Sequence, residues 1–342
     1  MWTAATMVES KNYLNTFPFI NIKNMNLYSM NKEKLENTSK EFNLHPWYVT
    51  GYSDGESSFS IRVRRNLLSK LGFHISIVYS IGAERNFENE KLLRSIKNYF
   101  NRYGSISKCG NLYLYEISSI KELKTIRAHF ESFPLQTTKI IYFKLWCIVM
   151  DMIENKEHLT KEGFLKILSI KSVFPNGLSK KIVKLYPNIS YYNKPLFKVN
   201  KNQLNPYWIA GFVQADGTFG LNFTKQNRMT LGYTCQPQFR ITQHKRDKII
   251  LEKIIEELKC GIMVKPSIDR DEYNISVGNI KDLLEIIIPF FIKYPVYGAK
   301  SLNFKDFCKG LYIIKDKRHL ELEGLNELKM LAYRMNTYRK FK

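Results

Sequence analysis

The sequence predicts an α+β fold of two pseudo-symmetric halves, each with the element order α-β-β-α-β-β-α, an extra helix and antiparallel sheets. A ten-residue stretch occurs twice, at residues 48–57 and 208–217, and runs with the period-two alternation of strands follow each copy. The halves also stay in register, because 160 positions separate Glu56 from Asp216 and Ile120 from Ile280. A duplicated domain is therefore inferred from the sequence.

The repeated stretch opens each half and is predicted to be a short helix, because Pro46 and Pro206 suit a first helical turn. Small residues recur four positions apart and would share one helix face: Gly51 with Gly55, and Gly211 with Ala215. Glycine inside a helix costs roughly 1 kcal/mol relative to alanine. We therefore expect these faces to form a helix interface at which two backbones approach closely.

The next-to-last residue of each copy is an acid, Glu56 or Asp216, predicted to lie at a helix C-terminus where the macrodipole disfavours negative charge by roughly 0.3–1 kcal/mol. Packing the two helices together would bring the carboxylates close, which is tolerable only with a cation between them. A site of oxygen ligands suits Mg²⁺, which keeps several waters and also binds phosphate oxygens. Glu56 and Asp216 are therefore the predicted metal ligands.

Hydrophobic periodicity predicts the remaining elements of the first half, residues 45–173, in order. They are strands at 59–63 and 73–81, a helix at 88–100, a hairpin at 104–117, and helices at 120–131, 139–153 and 159–173. Residues 174–204 contain several Pro, Asn and Lys residues and are predicted to be a linker with a short helix near 179–185. The second half, 205–342, repeats the pattern, with its first strands at 219–223 and 233–241. Residues 1–44 are predicted to be a poorly ordered extension without a secretory signal.

The net charge of +22 over 342 residues indicates a polyanionic partner. Nucleic acid is the first candidate, an anionic membrane surface the second, and a merely basic structural protein remains an alternative. With 44% hydrophobic residues the chain can still bury cores. Five scattered cysteines without a C-x-x-C pair indicate neither disulfides nor zinc and suggest a reducing compartment. No apolar run is long enough to span a bilayer.

The two copies resemble the LAGLIDADG motif of the homing endonucleases, with residues 49–57 and 209–217 in its nine positions. Ser57 replaces the glycine that normally follows the first acid, and Gln214 stands where the family often has Asp. The resemblance covers about residues 45–342 and looks like the single-chain form found in intron-encoded enzymes of fungal mitochondria. It implies a monomer whose two sheets form a DNA-binding saddle, and a mitochondrial location.

The resemblance also implies an activity, the hydrolysis of phosphodiester bonds on both strands of a specific DNA duplex with a divalent metal such as Mg²⁺. Glu56 and Asp216 would be the catalytic acids. Lys139 and Lys300, matched between the halves, are candidates for catalytic cations that stabilise the reacting phosphate. Phosphate anchoring or plain solvation is the alternative for these lysines.

The polar faces of the strands are the predicted DNA-reading surface, because Arg can pair with guanine, and Gln or Asn with adenine, in the major groove. The ordinary solvent-exposed face of a two-layer domain is the alternative. The candidates with suitable side chains are Arg62, Arg64, Asn222, Lys225, Gln236, Gln238, Arg240 and Gln243.

Two other functions fit the same fold. One is an RNA maturase that assists intron splicing, in which case intron RNA is the partner. The other is a DNA-binding relative that cannot cut, for which Ser57 is the only hint. An acid at the end of both motifs favours cleavage over either alternative.

Overall fold

The computed structural model describes residues 41–200, 202–336 and 339. Most of the predicted extension, 1–44, lies outside these residues. Its last residues, however, are packed and not poorly ordered, because Leu44 is buried and the ring of Phe42 stacks on Tyr297 with 4.5 Å between centroids. Residues 42–342 form one compact unit, so the division into domains at 45–173 and 205–342 stays a prediction.

The first half has the predicted element order. Its elements are α1 (Pro46–Glu56), β1 (Ser57–Arg65), β2 (Phe73–Glu84), α2 (Phe87–Tyr99), β3 (Ser105–Cys109), β4 (Leu112–Ile117), α3 (Ile120–Ser132), α4 (Lys139–Glu154), a 3₁₀ turn (Glu157–Leu159) and α5 (Lys161–Ser172). Thr160 begins α5 by accepting a hydrogen bond from the Gly163 N–H at 3.0 Å. The linker contains one short helix, α6 (Lys180–Leu185).

The second half repeats this order with two local differences, a 3₁₀ turn before its second helix and a π-helical turn within its third. Its elements are α7 (Pro206–Asp216), β5 (Gly217–Lys225), β6 (Tyr233–His244), a 3₁₀ turn (Lys245–Asp247), α8 (Lys248–Leu258), β7 (Ile262–Val264), β8 (Glu272–Val277), α9 (Ile280–Asp282), a π-helical turn (Leu283–Ile287), α10 (Ile288–Lys293), α11 (Gly298–Lys315), a 3₁₀ turn (Arg318–Leu320) and α12 (Leu322–Ala332). The π-helical turn precedes Pro289, which has no N–H and whose ring would clash with the carbonyl four residues back.

Each half contains a four-stranded antiparallel sheet, in the order β1-β2-β4-β3 and β5-β6-β8-β7. The registers are equivalent, because Ser57 lies opposite Ile81 just as Gly217 lies opposite Ile241. One face of each sheet carries the buried apolar side chains and packs on the helices, and the other face carries mostly polar side chains. The α+β prediction is confirmed. None of the helices in the described ranges is both long and apolar enough to cross a bilayer.

The halves meet along α1 and α7. A Cβ atom placed on Gly51 would lie 2.0 Å from the carbonyl oxygen of Trp208, and one on Gly211 would lie 2.1 Å from that of Tyr48. Gly55 faces Ala215 in the next turn, where an added Cβ would be 2.1 Å from the alanine Cβ. The small residues therefore allow backbone contact between the helices and direct both C-termini to the same place.

Candidate active site at the paired helix ends

Glu56 and Asp216 are the last residues of α1 and α7. Their proximity follows from the helix contact, since a Cβ on Gly55 would lie 2.9 Å from Asp216 Oδ2. Desolvation raises the pKa of Glu56, and the charge of Asp216 raises it further, although the Glu56 side chain still reaches solvent. Burial likewise raises the pKa of Asp216. The structure thus brings together two acids that resist being charged at the same time.

Lys139 and Lys300 are the cations whose charges act on both acids. Lys139 Nζ donates hydrogen bonds to the carbonyl oxygens of Ser53 at 2.9 Å, Gly55 at 3.0 Å and Ser57 at 2.6 Å. Lys300 Nζ donates in the same way to the carbonyls of Ala215, at 3.4 Å, and Gly217. Each ammonium therefore binds carbonyls at the end of α1 or α7, the motif helices, where the macrodipole favours a cation, and neither is merely solvated.

The electrostatic coupling between the lysines and the acids is mutual. Burial lowers the pKa of both Lys139 and Lys300 to about 8. The charge of Asp54 opposes that decrease most at Lys139, and the charges of Asp216 and Glu56 oppose it at both lysines. The lysines in turn oppose the rise in the pKa of each acid. The site therefore holds two carboxylates and two ammonium groups in one partly desolvated cluster, with one pair from each half.

The predicted DNA-reading residues do not all lie on the open sheet face. Strand register places six of them on that face: Arg62, Arg64, Asn222, Gln236, Gln238 and Arg240. Lys225 and Gln243 share the parity of the buried Phe219 and Ile241 and therefore do not lie on that face, although Lys225 is exposed at the end of β5. Their role in DNA binding stays a prediction. Gln243 instead donates a hydrogen bond to Asp216 Oδ2 at 2.6 Å. Strand parity turns Gln243 away from the open face, and its contact with the end of α7 is set by the packing of β6 on that helix.

The open faces of the two sheets differ in charge. Arg62 forms a two-pronged ion pair with Glu116, with Nη1 2.8 Å from Oε1. Sequence reasoning missed Glu116, because its partner lies two strands away across β2. The corresponding residue of the second sheet is Ser276, whose hydroxyl accepts a hydrogen bond from Gln238 at 2.7 Å. The first face is thus crossed by a salt bridge between an acid and a base, and the second by a hydrogen-bond network of Ser276, Gln238 and Arg240 that contains no acid.

Asp54 and Gln214 occupy equivalent positions two residues before each acid. Both bind the segment that precedes α4 or α11, the helices that carry Lys139 and Lys300 and are named the lysine helices. Asp54 Oδ2 accepts from the Gln136 N–H at 2.8 Å, and Gln214 Oε1 accepts from the Tyr297 N–H at 2.9 Å. Asp54 Oδ2 also accepts from Trp208 Nε1, in the other half, at 2.8 Å. Their position in the motif was the only signal in the sequence.

A metal ion at this site would depend on ligands from outside the chain. Within the part of the chain that the structure describes, no group of three or more His, Cys, Asp or Glu side chains could hold a metal ion. Two carboxylates that face each other nevertheless provide hard oxygen ligands, and a divalent cation would relieve their repulsion. The donor set therefore fits Mg²⁺ whose remaining ligands are waters and phosphate oxygens.

Known proteins resemble this chain over most of its length. The family model described as LAGLIDADG endonuclease matches residues 49–150 and 209–311. A crystal structure of the I-SmaMI LAGLIDADG homing endonuclease bound to cleaved DNA is 34% identical, covers 88% of this chain and 100% of that one, and has a TM-score of 0.83.

Two curated relatives come from Neurospora crassa. "Probable intron-encoded endonuclease 3" is 32% identical over 305 residues, which are 89% of this chain and 56% of the relative. "Probable intron-encoded endonuclease 2" is 31% identical over 300 residues, which are 83% of this chain and 64% of the relative. The chain thus spans less than two thirds of the length of each.

Proposed function

Because the chain belongs to the LAGLIDADG endonuclease family, we propose that it is a site-specific endonuclease that hydrolyses one phosphodiester bond in each strand of a DNA duplex. The observation that carries the proposal is the cluster at the helix ends. There each half contributes one acid and one lysine to a single cluster of interacting charges. This pseudo-twofold arrangement matches the symmetry of duplex DNA, with one scissile phosphate for each half.

DNA would lie along the open faces of the two sheets. Antiparallel strands in the major groove can direct Arg62 and Arg64 to guanines, and Asn222, Gln236 and Gln238 to any accessible adenine edge. Arg240 lies close to the network around Gln238, since its Nη2 donates to Gln238 Oε1 at 2.9 Å. The net charge of +22 supplies the sequence-independent attraction to phosphates.

The chemistry would combine metal binding by the acids with charge stabilisation by the lysines. Glu56 and Asp216 would hold Mg²⁺, which when bound supplies an activated water and neutralises phosphate charge. Lys139 and Lys300 would stabilise through their charge the negative charge that develops on the phosphate oxygens, and main-chain carbonyls fix both ammonium groups in place. All three N–H donors of Lys139 are used by carbonyls, so this lysine would act by its charge and not by a direct hydrogen bond. Gln243 orients the carboxylate of Asp216.

The proposal is tested by cleavage selection from a randomised duplex library with the full-length chain, followed by assays on the selected duplex. We expect Mg²⁺-dependent breaks in both strands, complete loss of cleavage on chelation of the metal, and recovery when Mg²⁺ is added back. Protein that binds the selected duplex but cuts neither strand at any Mg²⁺ concentration would contradict the assignment.

The RNA maturase and the cleavage-dead relative have less support. The relatives described above carry the word endonuclease in their names, and an acid is present at both helix ends. A splicing assay that showed activity without Mg²⁺-dependent nicking would favour the maturase. We further propose that the protein acts as a monomer, because one chain supplies both halves of the site, and that it works in mitochondria, as the intron-encoded relatives suggest.

Gln243 makes the two halves of the site unequal. The equivalent residue of the first half is Ala83, since Ala83 lies opposite Tyr113 as Gln243 lies opposite Tyr273. We expect Gln243→Ala to slow cleavage of one strand by roughly tenfold, the usual size of a lost supporting hydrogen bond at a metal site. The measurement is the cleavage rate of each strand on an end-labelled duplex.

Ala83→Gln is the matched variant for this prediction. It adds an amide at the equivalent position in the half that carries Glu56. We expect it to change only the cleavage rate of the other strand. An equal loss on both strands in Gln243→Ala would show that Gln243 does not act on one half of the site.

A further inference from the structure

Two polar side chains cross from one half of the molecule to the other and end at the lysine helices. Asp247, in the turn before α8, accepts hydrogen bonds from the Thr138 main-chain N–H at 2.7 Å and from the Thr138 hydroxyl at 3.0 Å. Asn89, in the first turn of α2, accepts one from the Ala299 N–H at 2.9 Å. Thr138 and Ala299 are equivalent, because each directly precedes a lysine of the site.

The contacts are enclosed and leave little room for change. Asp247 is 3% exposed and Asn89 is 9% exposed. At Gly298, which has a φ of +54°, a Cβ would lie 2.6 Å from Asn89 Oδ1. Only glycine suits this backbone conformation and this close approach. The fold thus accommodates the crossing contact at the cost of a constrained residue beside the lysine helix.

Each lysine helix is therefore held at its start by both halves of the molecule. The motif helix of the same half binds N–H groups of the preceding segment through Asp54 or Gln214. The opposite half binds the N–H of the residue just before the lysine through Asp247 or Asn89. The first N–H groups of a helix have no partner within the helix, so such acceptors determine where the helix begins. The carboxylate of Asp247 also matches the positive end of the helix dipole.

We propose that Asp247 and Asn89 are positioning residues that set the placement of Lys139 and Lys300, each across the boundary between the halves. The inference rests on the proposed endonuclease function only for its effect on cleavage. Lys139 follows Thr138 directly, and its ammonium meets three carbonyls at 2.6–3.0 Å. A small shift of the helix start would break that set, and displacements of about 1 Å in catalytic groups can cost roughly 10²-fold in rate.

This arrangement makes each lysine sensitive to the packing of the opposite half. If the halves separate or rotate, Asp247 and Asn89 move away from the helices that they cap. Lys139 and Lys300 are then released together, even though no residue of their own half has changed. Correct docking of both halves along the duplex would thus be a condition for cutting either strand.

The test compares Asp247→Ala and Asn89→Ala in the full-length chain, with cleavage rates measured strand by strand. We expect Asp247→Ala to slow the strand that Lys139→Met also slows, by roughly tenfold, and Asn89→Ala to slow the strand that Lys300→Met slows. Asp247→Asn keeps an acceptor oxygen of the kind that Asn89 uses, so we expect it to restore most of the rate. Duplex binding should change less than twofold in each.

Thr160→Ala is the matched control, because it removes a helix-capping hydrogen bond at the start of α5, where the Thr160 hydroxyl bonds to Glu157 and Gly163 and not to a residue of the site. It should lower the melting temperature and leave the ratio of the two strand rates unchanged. Loss of both strand rates in equal proportion in Asp247→Ala, as expected for simple destabilisation, would overturn the proposal.

A second measurement does not depend on cleavage. Acylation of lysines by an amine-reactive reagent, followed by peptide mass spectrometry, should show Lys139 reacting several-fold faster in Asp247→Ala while Lys300 keeps its rate. Asn89→Ala should show the reverse. If the wild-type chain cuts no duplex, the proposed function fails while this labelling pattern still supports the positioning role. Unchanged labelling of both lysines would refute it.

Discussion

Replacing Glu56 with Gln, or Asp216 with Asn, is expected to abolish cleavage while DNA binding persists. The amide keeps the size of the side chain and removes the negative charge that would hold a cation, so the loss should reach at least roughly 10³-fold, the upper range for one electrostatic group. Binding should persist because the open sheet faces, which carry Arg62 and Arg64, are unchanged. Strand-resolved cleavage and gel-shift titration of the same duplex measure the two effects separately.

Glu154→Gln is the control for these variants. It removes a carboxylate that pairs with Lys124 on the helix surface, at 2.6 Å, and that takes no part in the site. Surface pairs of this kind contribute about 0–1 kcal/mol, so both cleavage and binding should match the wild type. An acid variant at residue 56 or 216 that still cut at the wild-type rate would remove the chemical basis of the proposed function.

Gly51→Ala and Gly211→Ala are expected to destabilise the protein by about 3 kcal/mol or more, at the upper end of the cost of overpacking because the contact is with backbone. Alanine normally stabilises a helix relative to glycine by roughly 1 kcal/mol. The expected loss of stability is therefore opposite in sign to the change in helix propensity. The reason is contact with the backbone, since the new Cβ on Gly51 would lie 2.0 Å from the Trp208 carbonyl oxygen and 2.8 Å from the Phe212 nitrogen. Denaturant unfolding monitored by circular dichroism measures the change.

Gly82→Ala provides the comparison, because the nearest atom to an added Cβ is Leu112 Cδ1 at 3.9 Å. We expect its unfolding free energy to remain within about 1 kcal/mol of the wild type. Wild-type stability in Gly51→Ala would mean that α1 and α7 do not touch as closely as the structure has them, and the proximity of the two acids would then lose its support.

The sequence by itself was enough to predict the architecture and the acids of the site. Helix and strand periods are properties of short segments, so residues such as Phe59 and Ile61 reveal a strand without knowledge of their neighbours in space. The duplication repeats every local signal once more, about 160 residues later. Glu56 and Asp216 stood out because each is an acid at an unfavourable helix end, behind small residues that imply a close helix contact.

Only the tertiary structure decided what each polar side chain contacts. Lys139 reaches the carbonyl of Ser53, 86 positions away, and Thr138 reaches Asp247, 109 positions away. Gln243 had the chemistry of a base-reading residue, yet its strand parity turns it away from the open face and its side chain contacts Asp216. These contacts depend on how helices, sheets and the two halves pack, and local sequence patterns do not encode that packing, because a side chain's partner is set by the position of distant backbone.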